Sequence, residues 1–327
     1  MARQLTIRAE SWPIAGSFTI SRGSKTKAEV VLVEIGDGAH VGRGECVPYA
    51  RYGETIASAI ATVERLRPEI QAGLDRTALQ GTMPPGAARN ALDCALWDLE
   101  AKRSGHPVWR LAGLAPPQAV TTAYTLSLGT VESMAAAARA NAGRPLLKLK
   151  LSGPGDLDRV RAVHENAPQS RLIVDANEAW TAEIFSELAP QLLRLGVELI
   201  EQPLPATNDH VLADLARPVP VCADESCHDA ASLPGIRGKY DAVNIKLDKT
   251  GGLTEALRLA AAAKAQGLAI MVGCMVATSL SMAPALLVAQ DARWVDLDGP
   301  LLLAQDRAPG LVYQGNLVQP SSPSLWG

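Results

Sequence analysis

The spacing of charged residues at the ends of short apolar runs constrains the fold of this chain more than any other feature. Lys150, Asp175, Glu201, Asp224 and Lys246 each close an apolar run, and intervals of 25, 26, 23 and 22 residues separate them in turn. Longer segments with helical spacing lie between the runs, as in the βαβ units of a parallel sheet. So regular a repeat favours a closed (β/α)8 barrel, because a reversal of strand order usually interrupts an open sheet.

The complete prediction is an α/β protein with eight barrel strands and a different domain before them. The predicted strands are 121–128, 146–151, 172–175, 199–201, 221–224, 242–246, 269–273 and 294–297. The first 115 residues instead show alternation over 27–35, a turn at Gly36-Asp37-Gly38, and helical patterns over 55–66 and 86–102. We therefore predict a modified (β/α)8 TIM-type barrel over 116–327 and an N-terminal α+β capping domain over 1–115. The tail, about 300–327, is expected to pack back on the capping domain.

Composition narrows the class of protein. The net charge of −3 gives no electrostatic reason to expect nucleic acid or an anionic membrane as a partner. The five cysteines form no Cys-x-x-Cys pair, which disfavours a disulfide framework or a zinc knuckle. The beginning of the chain lacks the apolar stretch of a signal peptide, and no run reaches the roughly 18 apolar residues of a membrane span. We expect a cytoplasmic protein.

Three acids at the ends of consecutive predicted strands predict a metal site. The carboxyl ends of barrel strands carry the chemistry of this fold, and Asp175, Glu201 and Asp224 all stand there. Carboxylates without thiol or imidazole partners favour Mg²⁺, one ion per subunit. The alternative is that each acid caps a following helix. Coordination is favoured because three packed carboxylates would otherwise repel one another or take up protons. Further polar side chains lie beside them: Asn177, Gln202 and Glu225.

Two lysines at alternate positions predict general bases inside the barrel. Lys148 and Lys150 share one face of their strand, and a central barrel strand has no solvent face, so both would point inward. Mutual repulsion and burial would then lower the ammonium pKa. The alternative is an edge strand with solvent-facing lysines. Lys246, on the predicted sixth strand, would lie across the barrel from Lys150 on the second. A substrate α-carbon between the two could lose a proton on one face and regain it on the other, with the charge stabilised by the metal.

Several segments resemble one enzyme family over nearly the whole chain. The segments are LLKLKL at 146–151, LIVDANEAW at 172–180, LIEQPLP at 199–205, VCADES at 221–226 and VNIKLDKTGGLTEAL at 243–257. They resemble the metal and base motifs of the muconate-lactonizing branch of the enolase superfamily, in which a Lys base works with Mg²⁺. Within that branch, GCM at 273–275 and DLDGP at 296–300 resemble the dipeptide epimerases, which interconvert L-Ala-D-Glu and L-Ala-L-Glu.

The resemblance implies that the protein is an isomerase, and it implies roles for individual residues. It implies that Asp175, Glu201 and Asp224 bind Mg²⁺ and that Lys150 and Lys246 are the two acid/base groups. The matching position of Lys148 supports the substrate carboxylate and the metal region. The implied reaction is epimerisation of L-Ala-D/L-Glu in the recycling of cell-wall peptides. The alternatives are a dipeptide epimerase of other specificity, an N-acylamino acid racemase, a cycloisomerase, or a non-catalytic dipeptide-binding protein. The sequence is compatible with a homo-oligomer and does not determine the oligomeric state.

The remaining candidates would bind substrate. Asp296 and Asp298 would share one face of the last strand and attract a peptide's α-ammonium, although Asp298-Gly299 could simply form a turn. Arg22, in a polar loop at 21–25, could grip the glutamate side-chain carboxylate, or be a surface arginine. Thr125 and Cys274 fall where the family contacts substrate, and plain packing is the alternative for both.

Overall fold

An antiparallel sheet of three strands begins the structure, a computed structural model that describes residues 3–327. The strands are β1 (Gln4–Ile20), β2 (Gly23–Gly36) and β3 (Val41–Cys46). Gly36 pairs with Val41 across the predicted turn, which confirms that hairpin. No pattern in the sequence predicts β1. Because Ile20 pairs with Gly23, the segment 21–25, predicted as a loop, is the tip of a long hairpin.

Five helices of residues 3–115 pack against this sheet or against the longest of the five, α4 (Ala87–Ser104), which lies on it. The other four are α1 (Ile56–Arg65), α2 (Arg67–Gln71), α3 (Arg76–Thr82) and α5 (Val108–Leu111). The predicted helices 55–66 and 86–102 are confirmed as α1 and α4. Thr55 and Ser58 form a capping box at the start of α1. β3 and α4 approach closely, since a Cβ added to Gly44 would lie 2.1 Å from the carbonyl oxygen of Ala91.

Eight parallel strands form the barrel and confirm the predicted fold class. After β4 (Val120–Thr121), these strands are β5 (Tyr124–Leu126), β6 (Leu146–Lys150), β7 (Arg171–Asp175), β8 (Val197–Glu201), β9 (Val221–Ala223), β10 (Ala242–Ile245), β11 (Ala269–Gly273) and β12 (Trp294–Asp296). The ring closes where the Ala123 N–H donates to the Val295 carbonyl at 2.7 Å. The predicted first strand, 121–128, is instead divided into β4 and β5.

Helices alternate with these strands, but not uniformly. They are α6 (Val131–Ala140), α7 (Asp156–Asn166), α8 (Ala182–Arg194), α9 (Leu233–Ile236), α10 (Leu247–Thr250), α11 (Leu253–Ala265), α12 (Ser279–Ala289) and α13 (Gly299–Leu302). Helical spacing in the sequence predicts helices over 181–195, 252–266 and 278–289, and the structure confirms them as α8, α11 and α12. Short 3-10 turns (Asp209–Ala213 and Ala230–Ser232) and α9 follow β8 and β9, which explains the shorter sequence intervals there. Within residues 3–327, no helix is both long and apolar enough to cross a membrane.

The tail runs back along the barrel to the N-terminal helices. Its strands β13 (Tyr313–Gln314) and β14 (Leu317–Val318) form a small sheet with β4, which explains why β4 leaves the barrel. The Trp326 indole N–H then donates to the Cys94 carbonyl at 3.0 Å, and the Gly327 N–H donates to Asp98 Oδ1 at 2.9 Å. The tail therefore contacts α4. The division of the chain at residue 115 stays a prediction.

Candidate active site

Alternation along the barrel strands builds the polar layer of the site. One apolar cluster fills the barrel interior: Ala123, Leu146, Ile173, Leu199, Cys222, Ala242, Met271 and Trp294. Residues two positions later share the inward face because side chains alternate along a strand. Those residues are Thr125, Lys148, Asp175, Glu201, Asp224, Asn244, Gly273 and Asp296. The candidate site is thus the layer directly above an apolar plug, at the carboxyl ends of the strands.

A cavity of about 900 Å³ lies above this layer. Its barrel side includes Lys150, Lys246, Asp224 and Thr125, and its other side is formed by the hairpin tip and by the segment 47–56. The N-terminal domain therefore covers the mouth of the barrel. A space of this size is ample for a small peptide.

The two proposed bases reach the cavity from opposite sides of the barrel. Lys150 ends β6 and Lys246 follows β10, four strands apart in the ring of eight. Both are largely buried, at 7% and 6% exposure, and both line the cavity. Lys150 Nζ lies 2.6 Å from Asp175 Oδ2, and Lys246 Nζ lies 2.6 Å from Asp224 Oδ2. The predicted inward placement of these lysines is what the structure shows.

Lys148 lies beneath the cavity and bridges the carboxylates. Its Nζ is 2.6 Å from Glu201 Oε2, 2.6 Å from Asp296 Oδ2 and 3.5 Å from Asp175 Oδ2. Burial lowers the pKa of Lys148, but the charges of Asp296 and Glu201 outweigh it and raise that pKa well above its ordinary value. The pKa of Lys246 is likewise raised, because Asp224 outweighs burial. The prediction of a lowered pKa is therefore wrong for Lys148.

The three acids of the predicted metal site are buried and repel one another. Burial first, and then the charge of Asp175, raise the pKa of Glu201 to about 7, and Asp224 adds to the effect. Glu201 Oε2 and Asp224 Oδ1 accept no hydrogen bond, although lysine nitrogens lie 2.6 and 2.7 Å away in unsuitable directions. Among residues 3–327, no three acidic, histidine or cysteine side chains form a compact metal cluster, and lysines lie between these carboxylates.

The donor set nevertheless fits a hard divalent cation. Asp175, Glu201 and Asp224 stand on consecutive strands, all are at most 2% exposed, and Glu201 Oε2 lacks a hydrogen-bond donor. Buried oxygen ligands carrying several negative charges suit Mg²⁺. The three carboxylates are the residues that would hold it.

Neighbouring side chains position these carboxylates. Two of these neighbours, Asn244 and Lys249, were not predicted from the sequence. The Asn244 amide donates to Glu201 Oε1 at 2.6 Å, and Gln202 Oε1 accepts the Asp224 N–H at 2.9 Å. Lys249 Nζ lies 2.7 Å from Asp224 Oδ1. Strand alternation could have found Asn244, which follows Ala242 by two positions. Lys249 stands on the four-residue helix α10, where no periodic pattern marks it.

Arg22 reaches the barrel from the hairpin tip. Its Nη2 donates to Glu225 Oε1 at 2.7 Å, and its Nη1 donates to the Asn177 carbonyl at 2.8 Å. Asn177 adopts a left-handed backbone with a φ of 48°, which turns that carbonyl toward the tip. Burial, followed by the charge of Asp224, raises the pKa of Glu225 to about 7. The structure thus places Arg22 against the barrel, and its role in binding substrate stays a prediction.

The other predicted substrate residues also line the cavity. Asp298 Oδ2 accepts the Thr125 N–H at 2.6 Å, and burial followed by the charge of Asp296 raises the pKa of Asp298 to about 7. Asp296 pairs with Lys148, and the Thr125 hydroxyl donates to Asp296 Oδ1 at 3.3 Å. Burial raises the pKa of the Cys274 thiol, which makes it a poor nucleophile. Thr125, Cys274, Asp296 and Asp298 therefore lie together on one side of the cavity.

Comparison with protein families decides the relationship of this chain. Residues 2–113 match the family model described as "Mandelate racemase / muconate lactonizing enzyme, N-terminal domain", and residues 131–312 match the one described as "Enolase C-terminal domain-like". The chain belongs to the mandelate racemase/muconate lactonizing enzyme family. The family resemblance read from the sequence is confirmed.

Curated relatives within this family are epimerases and racemases. The L-Ala-D/L-Glu epimerase of Escherichia coli (strain K12) is 46% identical over 313 residues, which cover 95% of this chain and 98% of that protein. The N-acetyl-D-glutamate racemase of a Pseudoalteromonas species is 45% identical over 302 residues, which cover 91% of this chain and 95% of that protein. These relatives are isomerases, as the sequence analysis predicts for this chain.

Solved structures of family members share the fold over their whole length. An Agrobacterium tumefaciens enolase family member with homology to dipeptide epimerases, with bound sodium and L-Ala-L-Glu, matches with a TM-score of 0.98 and 55% identity. The match covers 99% of this chain and 100% of that chain. The dipeptide epimerase of Enterococcus faecalis V583, complexed with Mg and L-Leu-L-Tyr, matches with a TM-score of 0.91 and 28% identity, covering 98% of each chain.

Proposed function

We propose that this protein is a Mg²⁺-dependent dipeptide epimerase that inverts the α-carbon of the C-terminal residue of L-Ala-D/L-Glu. The observation that carries the proposal is the pair Lys150 and Lys246, which reach one covered cavity from opposite sides of the barrel. The E. coli epimerase, 46% identical, and the A. tumefaciens structure with L-Ala-L-Glu support the choice of substrate.

The lysines would exchange the α-proton between two faces. One of Lys150 and Lys246 takes the α-proton, and the other delivers a proton to the opposite face, which inverts the carbon. Mg²⁺ held by Asp175, Glu201 and Asp224 would stabilise the negative charge that builds on the substrate carboxylate. Lys148 adds positive charge beneath the same region. Residues of the N-terminal domain form one side of the cavity, and a partly covered site strengthens electrostatic effects relative to open water.

Asp298 is the better partner for the α-ammonium of the dipeptide. Lys148 Nζ lies 2.6 Å from Asp296 and already balances its charge. Asp298 has no lysine or arginine partner among residues 3–327, and one of its oxygens accepts the Thr125 N–H. A substrate cation would hold Asp298 in its charged form and gain a charge-assisted hydrogen bond.

Lys25 is the best placed cation for the glutamate side chain. The other lysines and arginines lining the cavity each have a carboxylate oxygen within 3.0 Å: Arg22, Lys27, Arg51, Lys150 and Lys246. In the described part of the chain, Lys25 has no such partner, and its Nζ lies 5.6 Å from the ring centre of Tyr49. We therefore favour Lys25 over Arg22, whose guanidinium is engaged by Glu225.

The decisive experiment follows the α-proton in D2O. Purified protein with Mg²⁺ is given L-Ala-D-Glu or L-Ala-L-Glu, and both deuterium incorporation and inversion are measured by NMR. Inversion with incorporation supports the proposal, whereas binding without incorporation would indicate a non-catalytic dipeptide-binding protein. Lys264→Met serves as a control, because Lys264 is an exposed lysine paired with Asp291.

Selectivity tests the assignment of Lys25. Lys25→Met should raise KM for L-Ala-L-Glu about tenfold or more and leave KM for the neutral L-Ala-L-Gln unchanged, since one charge-assisted bond is worth about 1.5–3 kcal/mol. Lys27→Met is the matched control, because Lys27 lies on the same strand but pairs with Glu29 at 3.0 Å. Equal losses for both dipeptides would remove Lys25 from side-chain recognition.

Racemisation of an N-acylated glutamate is the second candidate. The Pseudoalteromonas racemase named for N-acetyl-D-glutamate is almost as similar as the E. coli epimerase, and both names contain glutamate. The two reactions differ at the amino end, which is a cation in the dipeptide and a neutral amide in the acylated amino acid. A higher kcat/KM for N-acetyl-D-glutamate than for L-Ala-D-Glu would favour the racemase.

A further inference from the structure

A fourth buried lysine lies behind the proposed metal site. Lys249 has a side-chain exposure of 0%, and its Nζ lies 2.7 Å from Asp224 Oδ1. The same nitrogen donates to the carbonyl oxygens of Asp224 at 2.5 Å, Cys227 at 2.8 Å and Asn244 at 2.9 Å. An ammonium group has three hydrogens, and each has a buried carbonyl acceptor here. Lys249 therefore resembles a fixed internal cation.

The contacts of Lys249 join two neighbouring strand ends. Asp224 and Cys227 follow β9, whereas Asn244 lies in β10, the strand that leads to Lys246. On the opposite side, Gln202 Oε1 accepts the Asp224 N–H at 2.9 Å. The backbone of Asp224 is therefore held from the neighbouring strands on both sides.

The two carboxylate oxygens of Asp224 have different surroundings. Oδ2 lies 2.6 Å from Lys246, which lines the cavity together with Asp224. Oδ1 lies 2.7 Å from Lys249, which is not part of the cavity wall. Asp224 Oδ2 therefore faces the cavity, whereas Oδ1 faces Lys249 behind it.

We propose that Lys249 is a positioning residue that fixes Asp224 for the divalent cation. Its positive charge lies against Oδ1, and its hydrogen bonds to carbonyl oxygens tie the ends of β9 and β10 together. Oδ2 is left as the oxygen directed to the site. Lys249 does not touch the cavity, so it acts through Asp224 and not on the substrate. This inference rests on the proposed function, because it takes Asp224 as a ligand of Mg²⁺.

Mg²⁺ affinity measured by calorimetry on the unmodified protein and on Lys249→Met tests the proposal. Loss of a side chain that orients a metal ligand typically weakens metal affinity 10–100-fold, and we expect a loss of that size. At saturating Mg²⁺, kcat should fall while KM for the dipeptide changes less than about threefold, because Lys249 does not contact substrate.

A matched control separates positioning from general destabilisation. Thr254→Val also removes a hydrogen bond, the partly buried one from the Thr254 hydroxyl to Asp93 Oδ1 at 2.6 Å, but it does so away from Asp224. This variant should keep the Mg²⁺ affinity of the unmodified protein. Should Lys249→Met fail to fold, Lys249→Gln retains two N–H donors without the charge and takes its place in the titration.

The outcomes distinguish this inference from the proposed function. A folded Lys249 variant that binds Mg²⁺ within about twofold of the unmodified protein would overturn the positioning role, even if epimerisation is observed. If Asp224→Asn leaves Mg²⁺ affinity unchanged, the role is overturned as well. Weakened affinity in a protein that inverts no dipeptide would leave the positioning role intact and refute the epimerase.

Discussion

Asp248 provides a test of the electrostatics at the contact between the two halves of the chain. It lies on α10, and its Oδ1 accepts the Val47 N–H at 3.0 Å and the Asn90 amide at 2.8 Å. Among residues 3–327, no lysine or arginine pairs with it. Burial raises the pKa of Asp248 from 3.8 to about 7, partly offset by these two hydrogen bonds. The change to make is Asp248→Asn, which mimics the protonated carboxyl.

The pKa values of Asp248 in the unfolded and folded states determine whether stability rises or falls with pH. The unfolded chain loses this proton near pH 3.8 and the folded protein near pH 7, so stability falls as pH rises between these values and then levels off. From pH 5 to about 7 the loss spans two pH units, which at about 1.36 kcal/mol each amounts to about 2.7 kcal/mol. Asparagine cannot ionise, so the variant should escape this loss.

Urea unfolding at pH 5 and pH 8 measures the effect. The free energy of unfolding of Asp248→Asn, relative to that of the unmodified protein, should be larger at pH 8 than at pH 5 by about 1–3 kcal/mol, because only the unmodified protein loses stability over this range. Asp158→Asn is the control, because its side chain is 64% exposed and paired only with Arg161. The same relative stability at both pH values would refute the assigned ionisation of Asp248.

Three further predictions concern the amino end of the substrate, the packing of β3 and the two bases. Asp298→Asn should weaken the binding of dipeptides with a free α-ammonium more than that of N-acetylated dipeptides, by about 1–3 kcal/mol in competition binding. Equal losses of affinity for both would exclude recognition of the ammonium by Asp298. Gly44→Ala should lower stability by about 1–3 kcal/mol or more in thermal unfolding, because its Cβ would collide with α4, whereas Gly81→Ala, with open space, should be neutral or stabilising. Lys150→Met and Lys246→Met should each lower epimerisation at least 10²–10⁴-fold while one epimer still exchanges its α-proton in D2O; full activity in both would contradict the two-base mechanism.

Much of the barrel could be predicted because its signal is periodic. The intervals between Lys150, Asp175, Glu201, Asp224 and Lys246 reflect one βα unit each, and such a repeat survives local irregularities. Elements outside the repeat, such as β4, could not be predicted in this way. β4 leaves the barrel because it pairs with the distant β14, and no local pattern contains that partner.

The sequence predicts which residues line the site better than it predicts their charge states. Alternation places Lys148 inside the barrel, but its pKa depends on Glu201 and Asp296, which arrive from strands far along the chain. The partner of Arg22 is likewise distant in sequence, since Glu225 follows β9. Sequence spacing thus identifies which side chains meet, whereas their charge states follow from distances that only the assembled fold sets.

The long hairpin of β1 and β2 separates two properties of this protein. The end of this hairpin is held to the barrel by hydrogen bonds to barrel backbone atoms, since the Leu128 N–H donates to the Thr19 carbonyl at 3.0 Å and Ser21 Oγ donates to the Asn177 carbonyl at 3.1 Å. Lys25 extends from this ribbon, whereas Lys150 and Lys246 belong to the ring below. If Lys25 selects the substrate side chain and the two ring lysines move the proton, as proposed, substitutions at the tip should change substrate preference and leave proton transfer intact, so that a new specificity need not begin with a slower catalyst.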